Sequence, residues 1–495
     1  MKTVNDQLLL NKGKRASFVD LNFQVIESLK STLTPGRIMN TPQSSSEAFL
    51  KLTDSILSKM QRFSIPGVSV GVLIGDQEFA ASFGVTSIEN PLIVTPETLF
   101  QIGSITKTFT GTAIMRLVEM EKLHLDKPVR YYVPDLKLAD ESVAQRVTLR
   151  HLLTHTGGWA GDYFNDFGQG DDALIKMVAK MVDLPQLTPL GGVWSYNNAG
   201  FYLAGRVIEV VTGLPYEAAL KELILSPLGM EHSFFFAHEV ISYRFAVGHA
   251  VEEGKPTVAR PWAVGRAIHP IGGLVTNLPD LFRYARFHMG DGTTQDGIRL
   301  LRADTLAEMH APLVPASGIR SFGLSWGVVD IDDHRLISHG GGTKGQVTFL
   351  GISPAQRFAL IVLTNGEDGD TITSSAWSDA LKLFLGLEMP EAQPIQASLE
   401  KLMEYAGKYE SLAEILDLRL EERAFVLHTY NKGGFPTPNT PPMPNPPAVK
   451  AALCGEDQLV VLDEPMKGNR GEFLRSEAGT IEWLRLGGRL HRRIS

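Results

Sequence analysis

The apolar positions of this chain change period twice. Phe49, Leu52, Ile56 and Met60 recur at helical spacing and predict an amphipathic helix. Residues 68–74 and 77–83 then read as two β-type runs. They meet across Gly75-Asp76, a two-residue Gly-X turn, which predicts a hairpin. A second group of strands is expected far downstream, at 323–329, 335–339, 346–350 and 357–364. Turns at 330–333 and at Ser353-Pro354 separate them. Between the groups the pattern is mostly helical, as in 200–212 and 216–225. The economical assembly is one antiparallel β-sheet flanked by helices and split by a mostly helical insertion, an α/β fold. A site is expected where the two layers meet.

After about residue 390 the character shifts. Short alternating segments at 416–420, 425–430, 458–462, 472–475 and 481–486 predict a small C-terminal β-rich, barrel-like domain. The Pro-rich stretch 436–447 interrupts it as a stiff extended loop. At the other end, residues 1–45 read as an N-terminal extension with a helix around 23–33 and no assigned chemistry. The expected organisation is therefore 1–45, 46–390 and 391–495.

Composition narrows the functions. Of 495 residues, 43% are hydrophobic and 21% charged, which is ordinary for a globular protein. The net charge of -8 argues against nucleic acid as partner, because phosphate binding needs a basic surface. The single cysteine, Cys454, excludes an intramolecular disulfide and is expected to be an incidental or buried thiol. No apolar run reaches the length of a membrane span. The N-terminal leucine run is too short for a signal-peptide core, so a cytoplasmic location is expected.

The chemistry starts at Gly103-Ser104-Ile105-Thr106-Lys107, followed by a helical pattern. Positions i and i+3 share a helix face, so Lys107 reaches Ser104 without tertiary help. A serine hydroxyl needs a neighbouring base, and lysine serves as one when burial or nearby positive charge lowers its pKa. The helix start places N–H groups where an oxyanion would form. Ser-x-x-Lys alone is weak, and Ser398 with Lys401 matches it too. Three further segments add context. Tyr196-Asn197-Asn198 opens a helix; the phenol could relay a proton with a pKa lowered by the lysine ammonium, and Asn198 could hold the lysine or a substrate amide. Ser338-His339-Gly340-Gly341-Gly342 ends a strand with glycines that admit a substrate to the backbone and supply an oxyanion N–H. Ile271-Gly272-Gly273-Leu274 reads as packing.

With these motifs the chain resembles the serine β-lactamase and penicillin-binding protein superfamily, in its class C-like branch. Ser104/Lys107 match the first superfamily motif, Tyr196-x-Asn198 the second in its Tyr form and His339-Gly340-Gly341 the third. The segments TLRHLLTHTG at 148–157 and VIEVVTGLPYEAALKELILSPLGM at 207–230 are similar to stretches of that branch. The resemblance runs in order from about residue 48 to 388. It implies a β-lactamase/transpeptidase-like fold and an acyl-enzyme on Ser104, with Lys107 and Tyr196 as general base and then acid. It also implies an oxyanion hole from the Ser104 and Gly342 N–H groups, and a substrate site lined by Asn198, His339, Gly340 and Gly341. No metal and no cofactor are implied. The segments 405–410 and 483–489 resemble barrels appended to such hydrolases, and the 436–447 loop is read as a surface loop or, as in some D-aminopeptidase-like relatives, one that narrows the active site.

One departure matters. β-Lactamases usually carry Lys where His339 stands, and a neutral histidine weakens recognition of a substrate carboxylate. The expected function is therefore a carboxylesterase on small esters. The alternatives are a D-aminopeptidase or D,D-peptidase with weak β-lactam acylation, or a non-catalytic binding or sensor protein on the same fold. The partner is a small ester or amide, and a homo-oligomer is compatible with the sequence. Tyr163-Phe164-Asn165 also matches Tyr-x-Asn but lies in a polar loop, where Tyr163, Phe164 and Trp159 are assigned a pocket role. His151 and His155 are expected to pack or bond locally. Gly351-Ile352-Ser353-Pro354-Ala355 fails the α/β-hydrolase elbow at its last position.

Overall fold

The computed structural model describes residues 43–464 and 466–495. The helix expected at 23–33 lies outside them. Strands β1 (Gly67–Ile74) and β2 (Gln77–Gly84) form the expected hairpin, with Gly75 at a φ of 60° in its turn. They join β3 (Val314–Ser317), β4 (Arg320–Phe322), β5 (Gly327–Ile331), β6 (His334–Thr343), β7 (Gln346–Ser353) and β8 (Phe358–Thr364). The resulting eight-stranded antiparallel sheet has the order β2-β1-β8-β7-β6-β5-β4-β3. First and last strands are neighbours, Val70 opposite Val362, so the sheet closes around everything inserted between them.

Strand β8 shows why the sheet is buried on both faces. Phe358, Leu360 and Val362 pack with Leu52, Ile56 and Met60 of helix α1 (Gln43–Arg62), the apolar stripe read from the sequence. Ala359, Ile361 and Leu363 point the other way into the larger core, as the two-residue period of a strand requires. That second core holds Phe109 and Ile114 of α2 (Thr106–Glu119), Phe201 and Leu203 of α3 (Asn198–Thr212) and Leu281 of α4 (Leu278–Met289). Helix α3 is bounded by polar chemistry at its start and glycine at its end. The Asn197 side chain accepts from Gly200 N at 2.8 Å, and Gly213 takes φ 71° just past the last turn. A further helix, α5 (Asp370–Ala380), joins α1 on the outer face through Ile372 and Ala376.

Two sheet details differ from expectation. Residues 323–326 form a turn, not a strand: Gly323 N donates to Trp326 O at 2.7 Å and Ser325 has φ 71°. The edge hairpin β3–β4 has no alternating pattern to betray it, because Pro315 interrupts the run, and an edge strand tolerates such a proline. Pairing of β5 with β6 stops at Ser338 opposite Gly327. Residues 339–343 of β6 therefore pair with β7 on one side and stand open on the other.

The C-terminal segment forms a closed eight-stranded barrel. Its strands are β9 (Gly407–Glu410), β10 (Glu414–Glu421), β11 (Ala424–Asn431), β12 (Val449–Gly455), β13 (Gln458–Val461), β14 (Arg470–Arg475), β15 (Ile481–Leu486) and β16 (Arg489–Arg493). Every segment expected from alternation falls on one of these, 458–462 running one residue past the end of β13. β12 escaped notice because two alanines, a lysine and a terminal glycine, all poor strand formers, weaken its signal. Leu416, Leu418, Phe425, Leu427, Phe473 and Leu484 fill the interior, and α6 (Leu399–Tyr405) adds Leu402 and Tyr405. The second Ser-x-x-Lys is explained here: the Ser398 side chain accepts from Lys401 N at 3.2 Å, so it is the helix cap of α6. Among the described residues no helix is long and apolar enough to cross a membrane. Leu360→Ala opens a cavity between β8 and α1. It is expected to cost about 2–5 kcal/mol, read as a lower urea midpoint.

Candidate active site

Ser104 sits in the tight turn Gly103–Ile105 that leads into α2. Two glycines allow this turn to lie against β6. A Cβ on Gly103, whose φ is 51°, would stand 2.5 Å from Gly342 N, and one on Gly341 would stand 1.9 Å from Ile102 O. Thr348 Oγ1 of β7 donates to Ile102 O at 2.9 Å and locks the approach from behind. The helix start and the open stretch of β6 are thus brought into backbone contact.

Lys107 lies in the first turn of α2 and is completely buried. Its Nζ is 3.0 Å from Ser104 Oγ and donates to Ile271 O at 2.8 Å. Its pKa falls well below the ordinary lysine value. Burial is the main cause and the nearby Arg489 guanidinium adds to it, while Asp162 acts in the opposite direction. The Ile271-Gly272-Gly273 segment, read from the sequence as packing, therefore also supplies a partner for the amine. A main-chain carbonyl leaves no side-chain signature.

Tyr196 stands over the same amine, with Lys107 Nζ 5.0 Å from its ring centre. Its hydroxyl faces Ser104 and is buried without a partner of hydrogen-bonding geometry. Burial pushes the phenol up to about 12, the reverse of the lowering expected from a neighbouring ammonium. The reason is loss of solvent around the phenol, which outweighs the lowering by the Ser104 hydroxyl and the Arg489 guanidinium. Asn198 also departs from expectation: its Nδ2 donates to Asp162 Oδ1 at 2.8 Å and not toward the lysine.

His339, on β6, is 7% exposed. Its Nδ1 donates to Gly340 O at 2.6 Å, and a carbonyl only accepts, so Nδ1 carries the proton. Nε2 is then an acceptor, buried and without a partner. Burial, with Lys107 second, lowers this histidine to about 3, so it is neutral at ordinary pH. His151 accepts from Thr148 N at 3.2 Å, and His155 Nδ1 accepts from Asn197 N at 2.9 Å, the local roles expected. The His155 ring also lies 4.4 Å from that of Tyr196 and walls it in.

Ser104, Tyr196, Asn198 and His339 line a cavity of about 870 Å³, together with Gly340, Gly341 and Gly342. Phe164 lines it as expected, whereas Trp159 is buried and Tyr163 gives its carbonyl to the Tyr202 hydroxyl. The barrel contributes Glu414, Phe435 and Arg489 to the walls. Phe435 meets Phe164 edge-on at 5.0 Å, so the long β11–β12 loop reaches the cavity at its root, one residue before the 436–447 stretch. Arg489 Nε donates to Asp162 Oδ2 at 3.0 Å, and its guanidinium lies 4.7 Å from the Tyr196 ring centre. Sequence reasoning missed Asp162, Phe435 and Arg489. The only hint of the last was Gly487-Gly488-Arg489, a turn signal followed by a cation. Among the described residues no group of three or more His, Cys, Asp or Glu side chains is placed to hold a metal ion.

Comparison with known proteins agrees with this geometry. The Beta-lactamase family model matches residues 53–382. The chain is 32% identical to penicillin-binding protein 4 of Amycolatopsis lactamdurans, over 70% of this chain and 93% of that one. Among solved structures it is similar in fold to SurE with D-Leu, with a TM-score of 0.69 at 23% identity, covering 91% of this chain and 100% of that one. It is also similar in fold to the octameric penicillin-binding protein homologue of Pyrococcus abyssi, with a TM-score of 0.60 at 24% identity, covering 90% and 99%. The chain belongs to the β-lactamase family and is a serine hydrolase of the β-lactamase-like superfamily.

Proposed function

We propose that Ser104 is the nucleophile of an acyl-enzyme hydrolase, with Lys107 and Tyr196 as its proton-transfer pair. The reading is carried by one observation: a fully buried amine 3.0 Å from the serine hydroxyl, with no carboxylate bonded to it. Ser104 Oγ bonds to the substrate carbonyl carbon while its proton passes to Lys107 Nζ. The Ser104 and Gly342 N–H groups receive the carbonyl oxygen as it becomes an oxyanion. When the tetrahedral intermediate collapses, the bond to the leaving group breaks. That group takes the Tyr196 hydroxyl proton, and Lys107 returns its own to the phenolate. Water then attacks the acyl carbon by the same route reversed, and Ser104 recovers its proton.

We read the preferred substrate as a carboxylic ester. His339 presents a neutral ring where a cation would hold a substrate carboxylate, so the β6 strand of the site suits a substrate without a free carboxylate, as a simple ester is. Amide hydrolysis of the D-aminopeptidase or D,D-peptidase type, with slow β-lactam acylation, is the second reading. It is supported by the 32% identity to a penicillin-binding protein.

A fluorophosphonate or penicillin probe followed by intact-mass measurement is expected to show one adduct on the wild-type protein and none on Ser104→Ala. The activity of that variant on p-nitrophenyl acetate should fall by roughly 10³-fold or more. An adduct that survives the substitution defeats the assignment, and no adduct on either protein favours a binding or sensor role. Parallel rates on p-nitrophenyl acetate and D-alanyl-p-nitroanilide separate ester from amide. The pH profile follows from the protonation states. Lys107 works as the neutral amine, so kcat/KM is lost as pH falls through its depressed pKa, and no inflection from His339 is expected near the usual histidine value of about 6.5. Phe435→Ala is expected to raise kcat/KM for bulky acyl esters relative to acetate by about 3- to 10-fold; an unchanged ratio removes Phe435 as a wall of the acyl site.

A further inference from the structure

The barrel reaches the catalytic groups through its final hairpin. Tyr196 N donates to Gly488 O at 2.8 Å, Leu490 N to Ser195 Oγ at 3.3 Å and Arg485 Nη1 to Trp194 O at 2.9 Å. Gly488, with φ 78°, could not carry a side chain without pressing to within 3.0 Å of Trp194. The turn thus holds the segment that bears the phenol. The next residue, Arg489, is bonded to the Asp162 carboxylate through Nε at 3.0 Å and Nη2 at 3.4 Å, and the Glu414 carboxylate acts on it through space. Asp162 also receives Asn198 Nδ2, the residue that opens α3. Arg489 and Lys107 approach the same phenol ring, at 4.7 and 5.0 Å from its centre.

We propose that Arg489 is a positioning residue for acylation: clamped between the Asp162 carboxylate and the Tyr196 ring, it fixes the phenol beside Ser104 and keeps a fixed positive charge against the ring that Lys107 also approaches. This rests on the reading of Ser104, Lys107 and Tyr196 given above. The groups around the Lys107 amine are Ser104 and Tyr196, both neutral, His155 and His339, both buried and held neutral, and the Asp162–Arg489 pair. The pair supplies the fixed charges of opposite sign. A guanidinium opposes a second positive charge on the buried amine, and the carboxylate opposes its loss. Arg489 needs no contact with substrate to act in this way.

The test uses the full-length protein and the acid limb of kcat/KM for p-nitrophenyl acetate. Arg489→Met is expected to move the limb to higher pH by roughly one unit, Arg489→Lys to restore it in large part, and Asp162→Asn to move it to lower pH. Shifts of opposite sign at the two partners are not produced by loosened packing, which lowers kcat at every pH. An unmoved limb in Arg489→Met overturns the proposal, as does a limb that moves the same way in both variants, or a Lys variant no better than Met. If Arg489→Met fails to fold, Asp162→Asn, which keeps the arginine, decides by the direction of its shift. The fluorophosphonate adduct separates the two levels of inference. Its persistence on Ser104→Ala sinks the catalytic reading itself, whereas a Ser104-dependent adduct with an unmoved limb sinks only the role of Arg489.

Discussion

An amine with no exposed surface, bonded to a serine hydroxyl and one main-chain carbonyl, is the constraint around which this molecule is organised. An isolated ammonium is costly to bury, and the usual remedy is a carboxylate beside it. Here the first turn of α2 offers none. The lysine sheds its proton tendency instead, and every neighbour is consistent with that choice. The Tyr196 phenol stays protonated, His155 and His339 stay neutral, and the nearest fixed negative charge, on Asp162, is already engaged by Arg489. Exchanging any of these for a free carboxylate would favour the ammonium.

The backbone serves the same end. Only where β5 stops pairing can β6 present its glycine run to the nucleophile turn, and only glycine at 103 and 341 permits the closeness of that approach. The strands that begin and end this domain's sheet in sequence are neighbours within it, so the helical insertion leaves from and returns to the same sheet. Preorganisation of this kind is what lets N–H groups stabilise a developing oxyanion without rearranging.

How much of this was legible in the sequence depended on the range of each signal. Ser104 and Lys107 could be paired because the helix itself sets their separation, and β1, β2 and β8 because their apolar runs are strong. Tyr196 and His339 were found through motif order. Ile271 was hidden because a carbonyl is common to all residues. Asp162 and Arg489 were hidden because an ion pair between a loop and the far barrel has no local pattern. The expected phenol shift came out with the wrong sign because the sequence shows which groups are neighbours but not how deeply they are buried, and burial outweighed adjacency. The edge hairpin β3–β4 was missed for a simpler reason, a proline in a strand that had no need of the missing N–H.

The hydrogen bond from Tyr196 to Gly488 spans most of the chain and ends close to its C-terminus. The chain must therefore be made as far as Gly488 before the tyrosine loop can meet the turn that holds it. A fragment cut short of that turn contains every residue of the three sequence motifs, yet lacks the anchor beneath the phenol. In such a molecule the motifs alone would leave the phenol unheld.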